Sequence, residues 1–493
     1  FVLGRNDRVA WGATNMLAES ADLYAERVEG EEYEVDGRRR PLASRTETLS
    51  VRGGRRATIR IRRTHRGPLV TDTPLLRRLF QAGPTRHLSL AWPADRVESD
   101  ELAAFRRINR ARNVREAGEA LRTYAQCALN FIAADANGQI AQFPSAALPM
   151  RTSPPRGGIL DGRTSKDDWT GVDYPPTLPA TVDPREGFLA NANDLFRPGG
   201  DRSRVGVLTC PPCRGDRLRE LLGSAREATV ADACRIQIDA ACPCTRRLAR
   251  AALKLLDRPV GPLARRSVDL LGRFDGKMEP DSAPAAVAGV FSEFIRVELF
   301  TDLLGERLGR RFTSNYHAFP TSLEVLETAG GESSLLPAEQ AKRLVARALR
   351  RTVRYLLTRQ GPFPSKWRWG RVVRAVAATP AGMMPVLGRM ARVFLGPGRG
   401  SAHTVCQMRF RFIPAMRRQR AVLGVTARLV MPIGQDHIML CLCTGQSENP
   451  FSRHFRDHAR LLRHGRYAEV PLGRASEPDG DELQLSGTSD SAQ

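Results

Sequence analysis

Residues 4–15 read GRNDRVAWGATN, and residues 21–26 read ADLYAE. These two segments carry the most specific signal in the chain. No generic catalytic motif accompanies them, since the sequence has no Walker loop, dinucleotide fingerprint or His-Glu-x-x-His pattern. Further short segments follow downstream: THRGP at 64–68, PMR at 149–151, WTG at 169–171, NAN at 191–193, QID at 237–239, FDG at 274–276, WRWG at 367–370 and GQS at 445–447. Each segment is weak alone, so their order along the chain carries the information.

In this order the segments resemble those of the penicillin acylase family over almost the whole chain. That family belongs to the N-terminal-nucleophile hydrolases, so the resemblance implies an α+β fold of four layers, αββα, with two stacked sheets between helices. The chain departs from the family pattern within these and neighbouring segments. Arg66 is inserted into the histidine-glycine-proline segment, Phe274 stands where tryptophan is usual, and Glu448 replaces a glycine often found after Gln-Ser.

Local patterns favour β structure and loops in the first part of the chain. Residues 48–62 alternate apolar and polar side chains around Gly53-Gly54, which predicts a β-hairpin of no particular function. Residues 145–200 are rich in proline and glycine, which excludes a long helix and predicts extended, loop-bound chain.

The middle of the chain changes to a helical period. Apolar residues recur at three- and four-residue steps from Val290 to Leu304, and a second helix with an arginine-rich face is predicted after Pro337. Short apolar runs at 421–431 and 438–443 then predict buried strands. We therefore predict a large-subunit domain at 1–473 that contains a mainly helical excursion at 214–360, and a flexible polar tail at 474–493.

The resemblance implies a catalytic mechanism. The family's precursor cuts itself to expose a serine, whose α-amino group acts as the general base because its pKa is about 8. The serine attacks an amide and forms an acyl-enzyme, while an oxyanion hole stabilises the developing charge. By resemblance, the hole uses the side-chain amide of Asn193 and the backbone N–H of Asn15, and Arg217 lies close by and orients Asn193 and the amino group of the nucleophile. The alternative for Asn193 is a turn-forming asparagine.

Some members of the family hold a calcium ion close to the ADLYAE segment. By resemblance, Asp22 and the carbonyl of Ala21 match two ligand positions, and Glu19 stands where an aspartate is expected. Calcium tolerates such a change because its oxygen coordination is flexible. The remaining family ligand comes from the small subunit, so the resemblance implies one structural Ca²⁺ and a small α-subunit, cut from the same precursor, as partner.

The first residue, Phe1, differs from the serine with which the family's large subunit begins, several dozen residues before the GRN segment. We therefore expect an incomplete large subunit that is inactive alone, from a periplasmic or secreted parent that hydrolyses a linear amide. Family substrates range from β-lactam side chains to acyl-homoserine lactones and acylated lipopeptides. The second hypothesis is an acylase-derived protein that has lost catalysis.

A third hypothesis comes from the net charge of +23, which is typical of proteins that bind nucleic acid or other anionic surfaces. Lysine occurs at only five positions, and the arginines are spread over the whole chain. A dedicated binder usually concentrates its cations on one face or tail. The spread of the arginines therefore indicates a bias in composition rather than an anion-binding face. We expect that the chain binds no nucleic acid and contains no membrane span.

Nine cysteines include two close pairs, Cys210 with Cys213 and Cys242 with Cys244. Four thiolates suggest a zinc site, but the second pair is one residue closer than usual. Free or incidentally bridged cysteines are the simpler interpretation.

Overall fold

The computed structural model describes residues 2–80, 86–155, 157–174, 177–194, 205–206, 210–225, 227–257, 261–315, 317–332, 334–378, 388 and 391–473. The predicted tail at 474–493 lies outside the described residues. The strands are β1 Gly4–Arg5, β2 Val9–Asn15, β3 Asp22–Glu29, β4 Glu32–Val35, β5 Arg38–Pro41, β6 Ala43–Leu49, β7 Ala57–Arg63, β8 His87–Ala91, β9 Leu129–Asp135, β10 Ile140–Ser145, β11 Leu148–Met150, β12 Ile159–Asp161, β13 Gly171–Asp173, β14 Thr181–Val182, β15 Val373–Ala378, β16 Arg392–Pro397, β17 Met408–Phe410, β18 Gln419–Gly424, β19 Ala427–Val430, β20 His437–Leu442 and β21 Ala468–Pro471.

The helices are α1 Pro74–Leu79, α2 Glu101–Ile108, α3 Val114–Ala120, α4 Cys213–Ser224, α5 Val230–Gln237, α6 Pro243–Leu255, α7 Pro262–Gly272, α8 Ala283–Phe312, α9 Ala318–Glu327, α10 Ala338–Gln360, α11 Trp369–Val372 and α12 Asp457–His464. Within the described residues, no helix is both long and apolar enough to cross a bilayer.

The GRNDRVAWGATN segment forms β1 and β2 of an antiparallel sheet with the order β1-β2-β9-β10-β14. Strands β2 and β9 pair along their whole length, from Val9 opposite Asp135 to Asn15 opposite Leu129. Val9, Trp11 and Phe131 pack in one buried cluster with apolar residues of α2 and α3. The sheet is therefore covered by helices on one face, because alternate side chains of a strand point to the same side.

The ADLYAE segment forms most of β3, the centre of a second sheet with the order β12-β3-β4-β5 and with β8 also on β3. The inserted Arg66 follows β7 and is buried against this sheet. Its guanidinium donates to Glu26 at 3.0 Å, to Asp168 at 2.5 Å and to the carbonyl of Gly162 at 2.9 Å. A buried arginine is stable only when partners compensate its lost hydration, and these contacts do so.

The predicted hairpin is confirmed as β6 and β7, which pair from Ala43 opposite Arg63 to Leu49 opposite Ala57. The predicted helical excursion is also present, since the described part of 214–360 contains helices and no strand. Both helices predicted in it are confirmed as α8 and α10. Trp369 packs against Gly289 of α8. A Cβ on this glycine would lie 2.4 Å from the indole ring, so a larger residue would clash.

The last third differs from the prediction of buried strands. Strands form there as β18, β19 and β20, but β18 is largely exposed, with 66% of Val422 accessible. Strand β18 pairs parallel to β15 and antiparallel to β17, and its exposure shows that an apolar run does not by itself establish burial.

Two compact units divide the chain. Unit 1 comprises Phe1–Ala375 and Gly396–Gly424, and unit 2 comprises Val376–Leu395 and Val425–Gln493. Unit 2 holds the antiparallel sheet β19-β20-β21 and helix α12. The helical excursion and both sheets formed by the first two sequence segments lie in unit 1, which is where the candidate site is found.

Candidate active site

The turn at residues 191–194 shows why this asparagine-rich segment folds as it does. Asn193 has a φ of +63°, which few residues other than glycine, asparagine and aspartate adopt readily. The side chain of Asn191 accepts a hydrogen bond from the N–H of Asn193 at 2.9 Å, and Asp194 accepts one from the N–H of Ala192 at 2.9 Å. Two side chains thus close the turn and present the amide of Asn193 outward from it.

The amide of Asn193 meets the end of strand β2. Its Nδ2 donates to the Thr14 hydroxyl at 2.6 Å and to the carbonyl of Asn15 at 2.9 Å. The structure therefore brings together Asn193 and Asn15, which lie 178 residues apart in the sequence. Both amide hydrogens have protein acceptors here, so a bound oxyanion would take the place of one of them.

Arg214 holds the other side of the same amide. Its Nη2 donates to Asn193 Oδ1 at 2.9 Å and to the carbonyl of Ala192 at 2.6 Å. A guanidinium has only donors, so this contact requires the amide oxygen to face Arg214 and the amide N–H₂ to face β2. The orientation of the candidate oxyanion donor is therefore determined by a charge-assisted hydrogen bond.

The start of helix α4 positions Arg214. Asp194 is buried and forms an ion pair with Arg219, one turn further along α4. Gly215 makes this approach possible, because a Cβ there would lie 2.4 Å from the Asp194 carboxylate. In addition, the backbone N–H of Cys210 donates to the carbonyl of Asn193 at 2.9 Å. The turn is thus held from both sides by the chain that leads into α4.

Arg217 points to other partners. It forms a two-pronged ion pair with Asp239, at 3.1 Å and 2.8 Å, and a second pair with Glu220 at 2.7 Å. Hydrogen bonding to Asp239 raises the pKa of the guanidinium above its usual value. The predicted site residue Arg217 therefore joins α4 to the QID segment, and Arg214 makes the contact with Asn193. The two arginines are three residues apart, so sequence spacing alone cannot distinguish them.

Asn130 adds an uncompensated polar group beside Thr14. The two residues are directly opposed in the β2–β9 pair, so their side chains lie on the same face of the sheet. Asn130 is buried, and neither atom of its amide has a hydrogen-bond partner among the described residues. Such groups are costly in a folded protein, and a bound water, a ligand or a catalytic role can account for them.

The cysteines next to this site include one bridge. Cys213, the first residue of α4, forms a disulfide with Cys244 in α6. Cys210 and Cys242 are buried and free. A zinc site that uses all four thiolates is therefore incompatible with this structure, because two of them are consumed by the bridge.

The residues expected to bind calcium have other partners. Asp22 accepts hydrogen bonds from Arg151 Nε and Trp169 Nε1, both at 2.7 Å. Arg151 also donates to the carbonyl of Glu19 at 2.5 Å, and the Glu19 carboxylate accepts from the N–H of Gly157 at 3.2 Å. A guanidinium is thus the cation at this position. No group of three or more His, Cys, Asp or Glu side chains that could hold a metal ion is found in the described part of the chain, so the calcium site stays a prediction.

Comparisons with known proteins agree on one family. The family model described as penicillin amidase matches residues 1–478. Acyl-homoserine lactone acylase QuiP of Pseudomonas aeruginosa is 26% identical over 96% of this chain and 60% of its own length. The protein of the same name from Pseudomonas fluorescens is 27% identical over 95% of this chain and 59% of its own length. Penicillin G acylase of Escherichia coli is 28% identical over 39% of this chain and 22% of its own.

A solved structure shows the same fold. The thermostable penicillin G acylase of Alcaligenes faecalis superposes with a TM-score of 0.69 at 17% identity, over 99% of this chain and 90% of that one. The predicted α+β, N-terminal-nucleophile hydrolase fold is thereby confirmed. The chain spans about 60% of the length of the curated relatives it matches. With a family model matched over nearly its whole length, the chain belongs to the penicillin amidase family.

Proposed function

We propose that this chain forms the oxyanion-binding part of an amidohydrolase that cleaves linear amides through an N-terminal serine and an acyl-enzyme. The observation that carries the proposal is the amide of Asn193, which is oriented by Arg214 toward the end of β2. A donor whose direction is fixed before the reaction has only to exchange one protein acceptor for the developing oxyanion. The second donor in the proposal is the backbone N–H of Asn15, next to the Thr14 hydroxyl.

The proposed substrate class is the N-acyl-homoserine lactones. The supporting observation is that acylases of this name match 95–96% of the chain. Hydrolysis breaks the amide C–N bond, so water adds and the products are a fatty acid and homoserine lactone. Penicillin G is the second candidate, favoured by the shorter match to an Escherichia coli penicillin G acylase.

The test expresses the complete reading frame that contains this chain and supplies both substrate classes at equal concentration. Mass spectrometry follows the release of free fatty acid, homoserine lactone and phenylacetic acid. We expect fatty-acid release from acyl-homoserine lactones. Release from penicillin G alone would reassign the substrate class. A folded protein that cleaves neither amide would support an acylase-derived protein without catalysis and refute the proposal.

A small-subunit partner and an oxidising compartment belong to the same proposal. The Cys213–Cys244 disulfide supports the periplasm or the extracellular space, because cytosolic thiols are normally kept reduced. Co-purification of a second polypeptide from the same reading frame, identified by its N-terminal sequence, tests the partner. Fractionation of the native cells tests the compartment.

A further inference from the structure

A large cavity lies in unit 1 between helix α8, helix α10 and the segment 401–415. Its volume is about 1110 Å³. Small-molecule sites commonly enclose roughly 300–1,000 Å³, so the cavity has room for an organic ligand of ordinary size. Thr14, Asn193 and Arg214 are not among its lining residues. The candidate oxyanion donor and the arginine that orients it therefore do not line this cavity.

The charge of the cavity wall is strongly positive. Its charged lining residues are six arginines and two glutamates: Arg296, Arg310, Arg311, Arg351, Arg409, Arg411, Glu293 and Glu306. Arginines thus exceed carboxylates by four, from the difference between six and two. A concave wall with an excess of one charge concentrates the opposite charge, so this cavity favours anions.

Two of these cations are available to a ligand. Arg310 is paired with Glu306, and Arg351 with Glu298. By contrast, Arg311 and Arg411 are solvent-exposed, and neither takes part in an ion pair between described residues. Since a guanidinium presents five donors and no acceptor, each can bind a carboxylate or phosphate in a two-pronged manner.

His403 supplies a polar group deeper in the cavity. The residue is 7% exposed, and its ring stacks on Phe319 with centroids 4.4 Å apart. No hydrogen bond of its side chain to another described residue is found. Burial, together with the charge of Arg296, lowers the pKa of His403 to about 3. The imidazole is therefore neutral at pH 7 and has one N–H to donate to an anion.

Arg296 reinforces this polar end. Its Nη1 donates to the carbonyl of Thr313 at 3.3 Å and its Nη2 pairs with Glu293. Its Nε, however, is buried without a hydrogen-bond partner among the described residues. A buried donor without a partner is costly unless a ligand or water satisfies it.

Aromatic and aliphatic side chains form part of the wall. Trp369, Phe410, Phe412 and Met278 all line the cavity. Apolar surface of this kind gains from burial against an apolar body at roughly 25 cal/mol per Å². A cavity that needed only a free inorganic anion would not require these rings.

We propose that this cavity binds a small organic anion, with a carboxylate or phosphate head between Arg311, Arg411 and His403 and an apolar body against the aromatic wall. The cavity and its unused donors carry the proposal, which is independent of the proposed amidase activity.

The test titrates the purified chain by isothermal calorimetry with octanoate, octyl phosphate, inorganic phosphate and the neutral octanamide. We expect saturable one-to-one binding of octanoate or octyl phosphate, and binding at least about tenfold weaker for octanamide and for inorganic phosphate, because each lacks one of the two recognised parts. The tighter of the two amphiphilic anions identifies the head group.

Variants locate the binding. Arg311→Gln with Arg411→Gln removes two cations without breaking an ion pair, and His403→Phe keeps the ring that stacks on Phe319 but removes its nitrogens. We expect each change to weaken binding about tenfold. Arg55→Gln, an exposed arginine in the β6–β7 turn, is the matched control. The proposal is overturned if neither amphiphilic anion binds, if octanamide or inorganic phosphate binds as tightly as they do, or if the cavity variants behave like the control.

Discussion

Asn193 combines two properties that a turn residue and a catalytic donor each require. Its positive φ is the conformation of a turn, and its amide is held between Arg214 and the end of β2. The turn-forming alternative and the functional assignment are therefore compatible, since the first describes the backbone and the second the side chain. Substitutions at Asn193 can separate the contribution of its backbone conformation from that of its side-chain amide.

Asn193→Gly and Asn193→Ala in the complete reading frame are expected to lower kcat by a factor of about 10² to 10³, with little change in KM. Glycine accepts the positive φ without strain, so it removes the amide alone, whereas alanine also costs about 1 kcal/mol of backbone strain. Asn191→Ala, which loses only the turn contact, should cost far less activity. Steady-state kinetics with circular dichroism as the folding control measure this. Near-normal kcat in Asn193→Gly would refute the assignment.

Substitutions of Arg214 and Arg217 are expected to have opposite effects on activity and stability. Arg214→Gln should lower kcat with little loss of stability, because the guanidinium orients the Asn193 amide. Arg217→Gln should instead destabilise the fold by about 1–3 kcal/mol, because the mostly buried Asp239 loses its two-pronged partner. Urea unfolding and kinetics on both variants test this. A larger kcat effect for Arg217→Gln than for Arg214→Gln would support Arg217 as the residue that orients Asn193.

Whether Asp22 and its neighbours bind calcium can be tested through Arg151, which contacts Asp22. If the guanidinium is the cation for Asp22, removing calcium with EDTA or adding millimolar calcium should leave Tm unchanged, since a ligand stabilises only the state that binds it. Arg151→Gln should destabilise by about 1–3 kcal/mol. The matched control is Arg163→Gln, which breaks an exposed pair with Asp161 and should have little effect. A Tm that rises with calcium would establish the metal site instead.

At the scale of elements, helix α4 connects the candidate site to the helical excursion. Its first turn supplies Arg214, the Cys213–Cys244 bridge ties it to α6, and Arg217 ties it to the segment before α6. The position of the Asn193 turn therefore depends on the contacts that hold α4 in place, although α4 is not part of the sheet that contains β2.

Replacing Cys213 and Cys244 together by alanine is expected to destabilise the chain by about 3–4 kcal/mol on the loop-entropy account, for a bridge that spans 31 residues. It should also speed hydrogen exchange at the N–H of Cys210, which donates to Asn193, because the start of α4 loses its tether. Denaturant unfolding and exchange mass spectrometry measure both effects. The control is Cys127→Ala, a free exposed cysteine. Unchanged exchange at Cys210 would show that α4 is held without the bridge.

For the whole molecule, the net charge of +23 comes from arginines that are spread along the whole sequence. Many arginines are bound to carboxylates, including the buried Arg66 with Glu26 and the half-buried Arg62 with Asp72. Such pairs neutralise their own charges but leave the excess of 23 cations, and the arginine-lined cavity shows that this excess is not uniform.

Duplex DNA should accordingly bind weakly at physiological salt, without preference for sequence, and binding should fall steeply as salt rises. Filter binding over a salt series measures this, with duplexes of several different base sequences. Tight binding with a sequence preference would favour the third hypothesis, an arginine-rich binder of nucleic acid.

The sequence by itself was sufficient for the family, the fold class, the β6–β7 hairpin and the two long helices. These follow from local properties, because period, turn residues and the order of short segments are all written along the chain. Burial in the last third was not predictable in this way, since β18 has the apolar run of a buried strand and yet lies largely in water.

Only the tertiary structure decided the contacts of the charged and polar groups. Arg214 and Arg217 are equivalent candidates along the sequence, and the approach of Asn193 to one and of Asp239 to the other separates them. In the same way, Arg151 reaches Asp22 across 129 residues. Hydrogen bonds and ion pairs act over about 3 Å, so they depend on how distant elements pack, which a one-dimensional spacing does not specify.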